Sequence, residues 1–450
     1  MSALLQLAAR HATRYLDEIV DRAVAPTPEA VAALSAFDEA MPTQGHDAAA
    51  TIDLLDRVGS PATMGMPGPR YFGFVIGGAL PASLAANWLV GAWDQNSAYD
   101  NMTPSTARVE AVALRWMLDL LGLPPDCGGA FVTGATVANF TALAAARHAV
   151  LKRVGWNVEA DGLFGAPPIT VVVGNEVHAS VIKALGMLGL GRTRLVRVPV
   201  DGQGRMRADL LPPASGPTIV CVQIGNVNTG AFDPLSAIAE HYAGSGAWLH
   251  VDGAFGLWAA VAPTRAAWVT GLARADSWAT DAHKWLNVPY DSGVAIVRDP
   301  HALRAAMAIT AEYLPADSER RNPCEYTPEL SRRARGVEVW AALRSLGRDG
   351  LAELIERNCR QARRFGEALA AAGHAVLNEV VLNQVLVAFG DAAKTQRVMT
   401  ALQAEGTCWC SGTVWQGKTA MRISVSSWAT TDEDVERSVA AMLRVANQVG

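Results

Sequence analysis

Lys284 is the residue whose type and setting most directly suggest chemistry. It lies in the run DAHKW at residues 281–285, where a neighbouring alanine and tryptophan are apolar. An amine held among apolar groups is costly to keep charged, and its neutral form can attack a carbonyl group to form a Schiff base. Taken alone, the same motif also fits an ordinary surface lysine.

Asp252 supplies a carboxylate at the end of an apolar run. The residues WLHV at 248–251 read as a buried strand, and Asp252 follows them directly. Parallel α/β sheets bind ligands outside the carboxyl ends of their strands, so we expect this acid to point into a binding crevice. A carboxylate there can keep a ring nitrogen protonated. The alternative is an aspartate that shapes a turn or caps a helix, since Gly253 follows.

Small residues at 132–139 suggest a phosphate site. The run VTGATVAN follows an apolar strand and opens a helix. Backbone N–H groups and hydroxyls at a helix N-terminus bind phosphate, and Gly134 and Ala135 let the backbone approach closely. A plain helix cap at Thr133 or Thr136 is the competing interpretation.

His178 follows the apolar strand ITVVVGN, within the run EVHAS at 176–180. An aromatic ring at that point can stack on a flat cofactor ring. A histidine that merely enters the next helix is the simpler alternative.

The elements that must position these residues alternate along the chain. Short apolar runs, rich in β-branched residues, are separated by helical segments. This alternation predicts an α/β fold with a largely parallel sheet and helices on both faces. The strand-like runs are GGAFV, ITVVVGN, PTIVCVQIG, AWLHVDG, SWATD and SGVAIV.

Changes in the residue pattern along the chain divide it into three regions. Residues 1–60 read as helices interrupted by prolines, and residues 61–330 carry the strand and helix alternation. Residues 331–450 begin with long amphipathic helices and then contain strands of a smaller α+β unit. We therefore predict an N-terminal helical segment, a large ligand-binding domain and a small C-terminal domain.

Composition excludes several classes of function. Half of the 450 residues are hydrophobic, only 18% are charged, and the net charge is −5. Lysines and arginines are scattered, so nucleic acid is a poor partner. Of the six cysteines only Cys408 and Cys410 lie close together, which is not a usual zinc spacing, and we predict no metal. The N-terminus lacks the features of a signal peptide, so a cytoplasmic location is expected.

The stretch from Tyr71 to Trp93 has no charged residue over 23 positions, which is long enough to span a bilayer. It also contains four glycines, a proline, a serine and an asparagine. Such breakers favour a buried loop followed by a short helix, and we predict no membrane segment.

The order of the chemical features is more specific than any one of them. A phosphate loop, a histidine, a strand-end aspartate and a lysine follow one another, with Asp252 and Lys284 separated by 32 residues. In this order the chain resembles the group II decarboxylases of fold type I, which depend on pyridoxal 5′-phosphate (PLP). The matching pieces are TGATVAN at 133–139, His178 with Ser180 and Lys183, TGAFD at 229–233, HVDGA at 250–254 and DAHKW at 281–285.

The resemblance implies a fold and a set of roles. The fold would be a large domain with a mostly parallel seven-stranded sheet between helices, plus a smaller α+β domain. Lys284 would carry PLP, Asp252 would pair with its ring nitrogen, and His178 would stack on its ring. The other implied cofactor contacts are Gly134, Ala135, Thr136, Asn226, Asp281 and His283. By analogy the protein would be a homodimer, with the N-terminal segment embracing the partner subunit.

A tyrosine and an arginine complete the implied site. In the resembled decarboxylases a loop tyrosine protonates the α-carbon after CO₂ leaves, and Tyr326 is the nearest candidate in the segment 313–332. Tyr313 reads as part of a helix exit. Arg422 lies where related aminotransferases hold a substrate carboxylate, although in decarboxylases a similar arginine is often structural.

The predicted reaction is decarboxylation of an L-amino acid to an amine. Five aromatic residues cluster in a segment that lies near the substrate in the resembled enzymes: Tyr71, Phe72, Trp88, Trp93 and Tyr99. Core packing is their simpler interpretation, and if they line the pocket they favour an apolar or aromatic side chain over glutamate. The alternatives are a carbon–carbon lyase or aldolase, an aminotransferase, a decarboxylating aldehyde synthase, a PLP-binding dimer without turnover, and a crevice for another phosphate ligand.

Overall fold

A computed structural model describes residues 1–309 and 320–449. The helix from Gly336 to Ala371 is interrupted at Gly347, whose φ of 64° breaks the helical geometry. The helices in chain order are α1 (Ser2–Glu18), α2 (Pro28–Ala33), α3 (Ala48–Leu54), α4 (Ser60–Ala62), α5 (Pro81–Trp93), α6 (Pro104–Leu120), α7 (Ala135–Lys152), α8 (Val158–Asp161), α9 (Ala179–Met187), α10 (Leu235–His241), α11 (Pro300–Met307), α12 (Gly336–Ala371), α13 (Ala392–Glu405) and α14 (Asp432–Gln448).

The larger sheet of the described residues has seven strands in the order β1-β7-β6-β5-β4-β2-β3. Strands β2 to β6 run parallel to one another, whereas β7 is antiparallel to both β6 and β1. The predicted α/β fold with a mostly parallel seven-stranded sheet is therefore confirmed. The strands are β1 (Gly128–Val132), β2 (Thr170–Gly174), β3 (Val196–Val198), β4 (Thr218–Gln223), β5 (Trp248–Asp252), β6 (Ser277–Asp281) and β7 (Gly293–Val297).

A core of aliphatic side chains covers this sheet. Valines and isoleucines of β2 and β4 pack against leucines and alanines of α7, α9 and α11. β-Branched side chains suit a strand that is buried on both faces, while the alanine-rich α7 lets that helix lie close to the sheet. Representative fully buried members are Val173, Ile219, Leu143, Leu185 and Leu303.

The smaller sheet has four strands in the order β10-β11-β9-β8 within the described residues. The pairs β10/β11 and β8/β9 are antiparallel. The hairpin near Gly417 that links β10 and β11 has Gln416 and Gly417 at positive φ, as tight hairpin turns require. The strands are β8 (Ala375–Val376), β9 (Gln384–Ala388), β10 (Ser411–Trp415) and β11 (Lys418–Ser424).

The chain divides into two compact units. One comprises Met1–Ile76, Arg364–Leu377 and Val385–Gly450, and the other comprises Gly77–Arg363 and Asn378–Gln384. The larger sheet and the candidate cofactor-binding residues belong to the second unit, whereas Tyr71, Phe72 and Arg422 belong to the first. The three regions predicted along the chain, with boundaries at residues 60 and 330, stay a prediction.

The uncharged stretch at 71–93 forms a buried loop followed by α5, as its glycines and proline predicted. No helix in residues 1–309 or 320–449 combines the length and the apolar character needed to cross a membrane.

Candidate active site

The candidate residues follow strand ends at one edge of the larger sheet. Asp252 is the last residue of β5 and Asp281 is the last residue of β6. Strand β1 leads through Thr133 into α7, and β2 leads through His178 into α9. Because these strands run in the same direction, their carboxyl ends meet at one edge, which is where doubly wound sheets bind ligands.

Asp281 connects three parts of the site. Its Oδ1 accepts a hydrogen bond from the backbone N–H of Ala135, the first residue of α7, and lies 3.3 Å from Nε2 of His283. Its Oδ2 lies 2.9 Å from Nζ of Lys284. The N-cap position of α7 is Gly134, and neither neighbouring threonine caps the helix. The carboxylate of Asp281 therefore takes the place of a threonine cap.

Two glycines allow the start of β7 to lie against the start of α7. A Cβ atom on Gly293 would lie 2.4 Å from Cα of Gly134. A Cβ on Gly134 would in turn lie 3.0 Å from Cε1 of His283. This close approach places the start of β7 against the first turn of α7, and the free N–H groups of a helix N-terminus are donors that suit a phosphate.

His283 is fixed on three sides. The backbone N–H of Ser292 donates to its Nδ1 at 3.1 Å, so the neutral ring carries its proton on Nε2, towards Asp281. The ring of Tyr290 stacks on it with centroids 4.2 Å apart. Burial lowers the pKa of His283, Asp281 opposes that effect, and Lys284 reinforces it. His283 is therefore held neutral beside the lysine.

Asp252 is buried, and one of its oxygens has no partner. Its Oδ1 accepts a long hydrogen bond of 3.3 Å from the N–H of Ala254, whereas Oδ2 has none among the described residues. Burial raises the pKa of Asp252, while the nearby His178 and Lys284 lower it and Asp281 raises it further. A buried carboxylate of this kind favours a cationic hydrogen-bond donor as its partner.

His178 is half-buried and is the N-cap residue of α9. Its Nδ1 lies 2.7 Å from Oγ of Ser180 and accepts from the backbone N–H of the same residue at 3.2 Å. His178 and Asp252 line one small cavity of about 10 Å³. The simpler helix-entry interpretation therefore holds for His178, and it does not conflict with a position beside the strand-end aspartate.

Asn226 lies in a turn after β4. Its Oδ1 accepts from the N–H groups of Asn228 and Thr229, at 2.8 and 3.2 Å. Its Nδ2 is buried and has no partner among the described residues. That donor is available for an acceptor atom of a ligand.

Tyr326 packs in the interior of its unit. Its half-buried ring contacts the clusters formed by β1, α7 and α11, and the guanidinium of Arg321 lies 4.5 Å from its centroid. Tyr313 lies outside the described residues. Arg422 is in β11 of the other unit, where burial lowers its pKa.

The aromatic residues at 71–99 lie in different settings. Tyr71 stacks on Trp409 with centroids 5.0 Å apart, and Phe72 meets Phe365 edge to face. Trp88 and Trp93 are exposed on α5. The last member of the set, Tyr99, is buried beside Cys324.

Sequence reasoning did not single out Tyr290 and Ser292. Both contact His283 because the chain folds back after the lysine motif, through a tight turn that ends at β7. The aromatic residue six positions after Lys284 was a visible signal, but its contact with His283 depends on the path of that turn.

The fold and the site together fit a class of enzyme that binds a phosphorylated aldehyde cofactor. The family model described as the pyridoxal-dependent decarboxylase conserved domain matches residues 33–390. The chain belongs to this family, so it is an enzyme of the decarboxylase class and its cofactor is PLP. The predicted family and cofactor are confirmed.

The names of the curated relatives give different substrates. An aromatic-L-amino-acid decarboxylase from Bacillus atrophaeus is 27% identical over 346 residues, which are 74% of this chain and 70% of the relative. An L-2,4-diaminobutyrate decarboxylase from Rhizobium meliloti (strain 1021) is 30% identical over 392 residues, covering 82% and 76%. The family is therefore clear, whereas the relatives differ in the amino acid they decarboxylate.

Solved structures share the fold. The Oryza sativa protein TDC, solved with PLP and tryptamine, superimposes with a TM-score of 0.90 at 22% identity, over 99% of this chain and 97% of that one. Mouse CSAD gives a TM-score of 0.91 at 21% identity, over 99% and 98%. At this level of identity the likeness establishes the fold alone.

The residues of the site fit PLP. The unpartnered Oδ2 of Asp252 suits a protonated ring nitrogen, and the glycine-lined start of α7 suits a phosphate. Lys284 supplies the amine at the same edge of the sheet. The chemistry of the donor set therefore agrees with the family.

Proposed function

We propose that this enzyme removes the α-carboxyl group of an L-amino acid with an aromatic or apolar side chain, releasing CO₂ and the corresponding amine. The observation that carries the proposal is the buried Asp252, whose Oδ2 has no partner among the described residues. A buried carboxylate oxygen without a hydrogen-bond partner destabilises the protein. The positive charge of a protonated ring nitrogen beside it would compensate for the cost of burial.

Each candidate residue has a proposed contact with the cofactor. Lys284 binds it covalently, Asp252 holds a proton on its ring nitrogen, and His178 stacks on the ring. When bound, PLP supplies a ring that accepts the electrons released from the substrate α-carbon. The phosphate and the outer edge are assigned to Gly134, Ala135, Thr136, Asn226 and His283, while Asp281 orients Lys284 beside the cofactor.

An aromatic or apolar substrate is the proposed class. Two curated relatives support it by their names: the Bacillus atrophaeus enzyme, and tryptophan decarboxylase 1 from Oryza sativa subsp. japonica, which is 28% identical over 398 residues. The homodimer and the cytoplasmic location predicted from the sequence are part of the same proposal. Analytical ultracentrifugation of the holoenzyme tests the dimer, and a fully active monomer would contradict it.

Borohydride reduction tests the attachment site. We expect the purified holoenzyme to be yellow, to lose its visible band on reduction, and to carry the cofactor mass on Lys284. Lys183, an exposed lysine of α9, is the matched control and should carry no adduct. A protein that stays colourless after incubation with PLP contradicts the proposal.

Release of CO₂ from a panel of amino acids tests the reaction and the substrate. Tryptophan, tyrosine, phenylalanine and leucine represent the proposed class, and glutamate, histidine and 2,4-diaminobutyrate represent the others. We expect the highest kcat/KM for a member of the first group. A preference for glutamate or diaminobutyrate would overturn the substrate class, and conversion to a keto acid without CO₂ would overturn the reaction.

An aldehyde synthase is the second candidate, and the packing of Tyr326 favours it. The half-buried ring of Tyr326 packs against the core clusters of its unit, under Arg321. An enzyme that lacks a proton donor at the α-carbon can react with O₂ and water instead, converting the amino acid to an aldehyde, CO₂, ammonia and hydrogen peroxide. Detecting equal amounts of peroxide and CO₂ would identify this activity.

A further inference from the structure

A line of buried polar side chains connects His178 to the interior of the larger sheet. Ser180 Oγ lies 2.7 Å from Nδ1 of His178, and Nδ2 of Asn139 donates to that hydroxyl at 3.3 Å. Oδ1 of Asn139 lies 2.9 Å from Nε2 of His250. The line continues through Ser277, whose Oγ lies 2.9 Å from Nδ1 of His250, and ends at Trp248.

The Trp248 end has a fixed hydrogen-bond direction. An indole N–H can only donate, and Nε1 of Trp248 donates to Oγ of Ser277 at 2.8 Å. At the other side of His250, Oδ1 of Asn139 can only accept, so Nε2 of His250 carries the ring proton and donates it to Asn139. The neutral ring then accepts at Nδ1, and the hydroxyl of Ser277 donates to it.

His250 stays neutral, which preserves this direction. It is fully buried, and burial lowers its pKa to about 3. A neutral imidazole has one donor and one acceptor nitrogen, so it transmits the direction instead of reversing it. Asn139 does the same, since its carbonyl oxygen faces His250 and its amide nitrogen faces Ser180.

The His178 end is fixed in the same sense by a second group that can only donate. The backbone N–H of Ser180 points to Nδ1 of His178 at 3.2 Å. A proton on Nδ1 would oppose that N–H, and reversing the line would also leave two acceptors, Nε2 of His250 and Oδ1 of Asn139, facing each other. The Asn139 carbonyl and the Ser180 N–H therefore require the same direction.

We propose that Ser277, His250, Asn139 and Ser180 form a one-directional hydrogen-bond chain that places the ring proton of His178 on Nε2. Asn139 and Ser180 are thus positioning residues, which act through His178. As a result, His178 donates through Nε2 while its Nδ1 stays an acceptor. The inference rests on the proposed place of His178 beside the cofactor.

Nitrogen NMR of ¹⁵N-histidine-labelled full-length protein tests the chain. Spectra are recorded at about pH 8, above the usual titration range of histidine, with and without PLP. A His178→Gln variant identifies the His178 signals among the nine histidines. In the wild type we expect Nδ1 to be the unprotonated nitrogen and Nε2 to carry the proton.

Removing the Ser180 hydroxyl gives the second readout. In Ser180→Ala the backbone N–H remains, so the Nε2–H form persists, but the ratio of the two tautomers falls by about fivefold, the effect of one hydrogen bond. Ser180→Thr should restore the wild-type ratio. Thr141→Val is the matched control, because it removes a buried hydroxyl of α7 that has no partner among the described residues.

Three results would overturn the proposal: a proton on Nδ1 of His178 in the wild type, equal shifts in Ser180→Ala and Thr141→Val, or no recovery in Ser180→Thr. The wild-type spectrum decides the tautomer even if Ser180→Ala does not fold. The spectra of the resting protein do not depend on turnover. A failure of the CO₂ assay with an intact tautomer would therefore overturn the proposed function alone.

Discussion

Nζ of Lys284 lies 2.9 Å from Oδ2 of Asp281, three residues earlier in the chain. The other oxygen of Asp281 accepts from the first N–H of α7, where a phosphate is expected to bind. An ionised carboxylate holds an ammonium group in place but repels a phosphate dianion. We therefore expect Asp281 to orient Lys284 and to oppose cofactor entry.

Replacing Asp281 by asparagine should speed the loading of PLP onto the apoenzyme. Asparagine keeps an acceptor for Ala135 and His283 while it removes the negative charge that repels phosphate. The loading rate, followed by stopped-flow absorbance, should rise about fivefold, the equivalent of the roughly 1 kcal/mol between unit charges 4 Å apart in water.

Asp291→Asn is the charge-matched control for this experiment. Asp291 pairs with Arg335 at 2.8 Å and does not contact Lys284 in any described interaction. The rate at which PLP loads onto the Asp291→Asn apoenzyme should stay near that of the wild type. Slower loading in Asp281→Asn would show instead that the carboxylate assists phosphate binding, as the sequence comparison implied.

Asp252→Asn should stabilise the apoenzyme and weaken the holoenzyme. Burial raises the pKa of Asp252 above its usual value near 3.9, so the stability that its protonated form contributes is lost as the pH rises through the folded-state pKa. The variant should therefore gain about 1–3 kcal/mol over the wild type at pH 8 and less at pH 5, measured by urea unfolding of the apo forms.

The holo form should respond in the opposite direction. Asparagine cannot neutralise a cationic ring nitrogen, so PLP affinity and kcat should both fall, as a spectral titration and the CO₂ assay would show. If the wild-type apoenzyme is the more stable of the two at pH 8, the Asp252 carboxylate has a partner in solution that compensates its burial.

Glu110→Gln should destabilise the protein strongly. Glu110 is buried on α6, with Oε1 2.9 Å from Arg321 and Oε2 bonded to Arg332. Burial alone would raise the pKa of Glu110, but the charges of Arg332 and Arg321 outweigh it and lower that pKa. Removing the charge leaves two arginines without their partner, at a cost of about 3–5 kcal/mol in the free energy of unfolding.

The sign of the pH dependence follows from the lowered pKa. The stability from Glu110 is present above the usual glutamate value near 4.3 and is lost as the pH falls through the folded-state pKa. Asp119→Asn breaks an exposed pair with Arg348 and should cost at most about 1 kcal/mol. A loss in Glu110→Gln no greater than in this control would show that the buried pair contributes no net stability.

The sequence predicted the features that depend on neighbouring residues in the chain. Apolar, β-branched runs indicated the strands, and polar residues at their ends, such as Asp252, indicated the crevice. It could not predict contacts set by the path of the chain. The N–H of Ala135 meets Asp281 across 146 positions, and Glu110 meets Arg332 across 222. In the sequence, Asn139 and Ser277 are ordinary small polar residues. Their hydrogen bonds to His250 depend on the fold, which places His250 between them.

The sequence and the packing assign different roles to Tyr326. The sequence assigned it as the proton donor at the α-carbon, whereas its ring packs against β1, α7 and α11 under Arg321. A side chain held in this way is fixed by the interior of its unit. We therefore expect Tyr326→Phe to give the same product as the wild type and to change kcat by less than about threefold, because only a hydroxyl is removed and the packing is retained.

The product ratio distinguishes the two roles of Tyr326. Amine is measured by chromatography, and aldehyde and hydrogen peroxide are measured in the same reaction. Tyr326→Ala is the companion variant and should lower stability by about 1–3 kcal/mol, because the ring it removes is half-buried. A switch from amine to aldehyde in Tyr326→Phe, with unfolding unchanged, would restore Tyr326 as the proton donor, since only loss of the proton source diverts the substrate carbon to O₂.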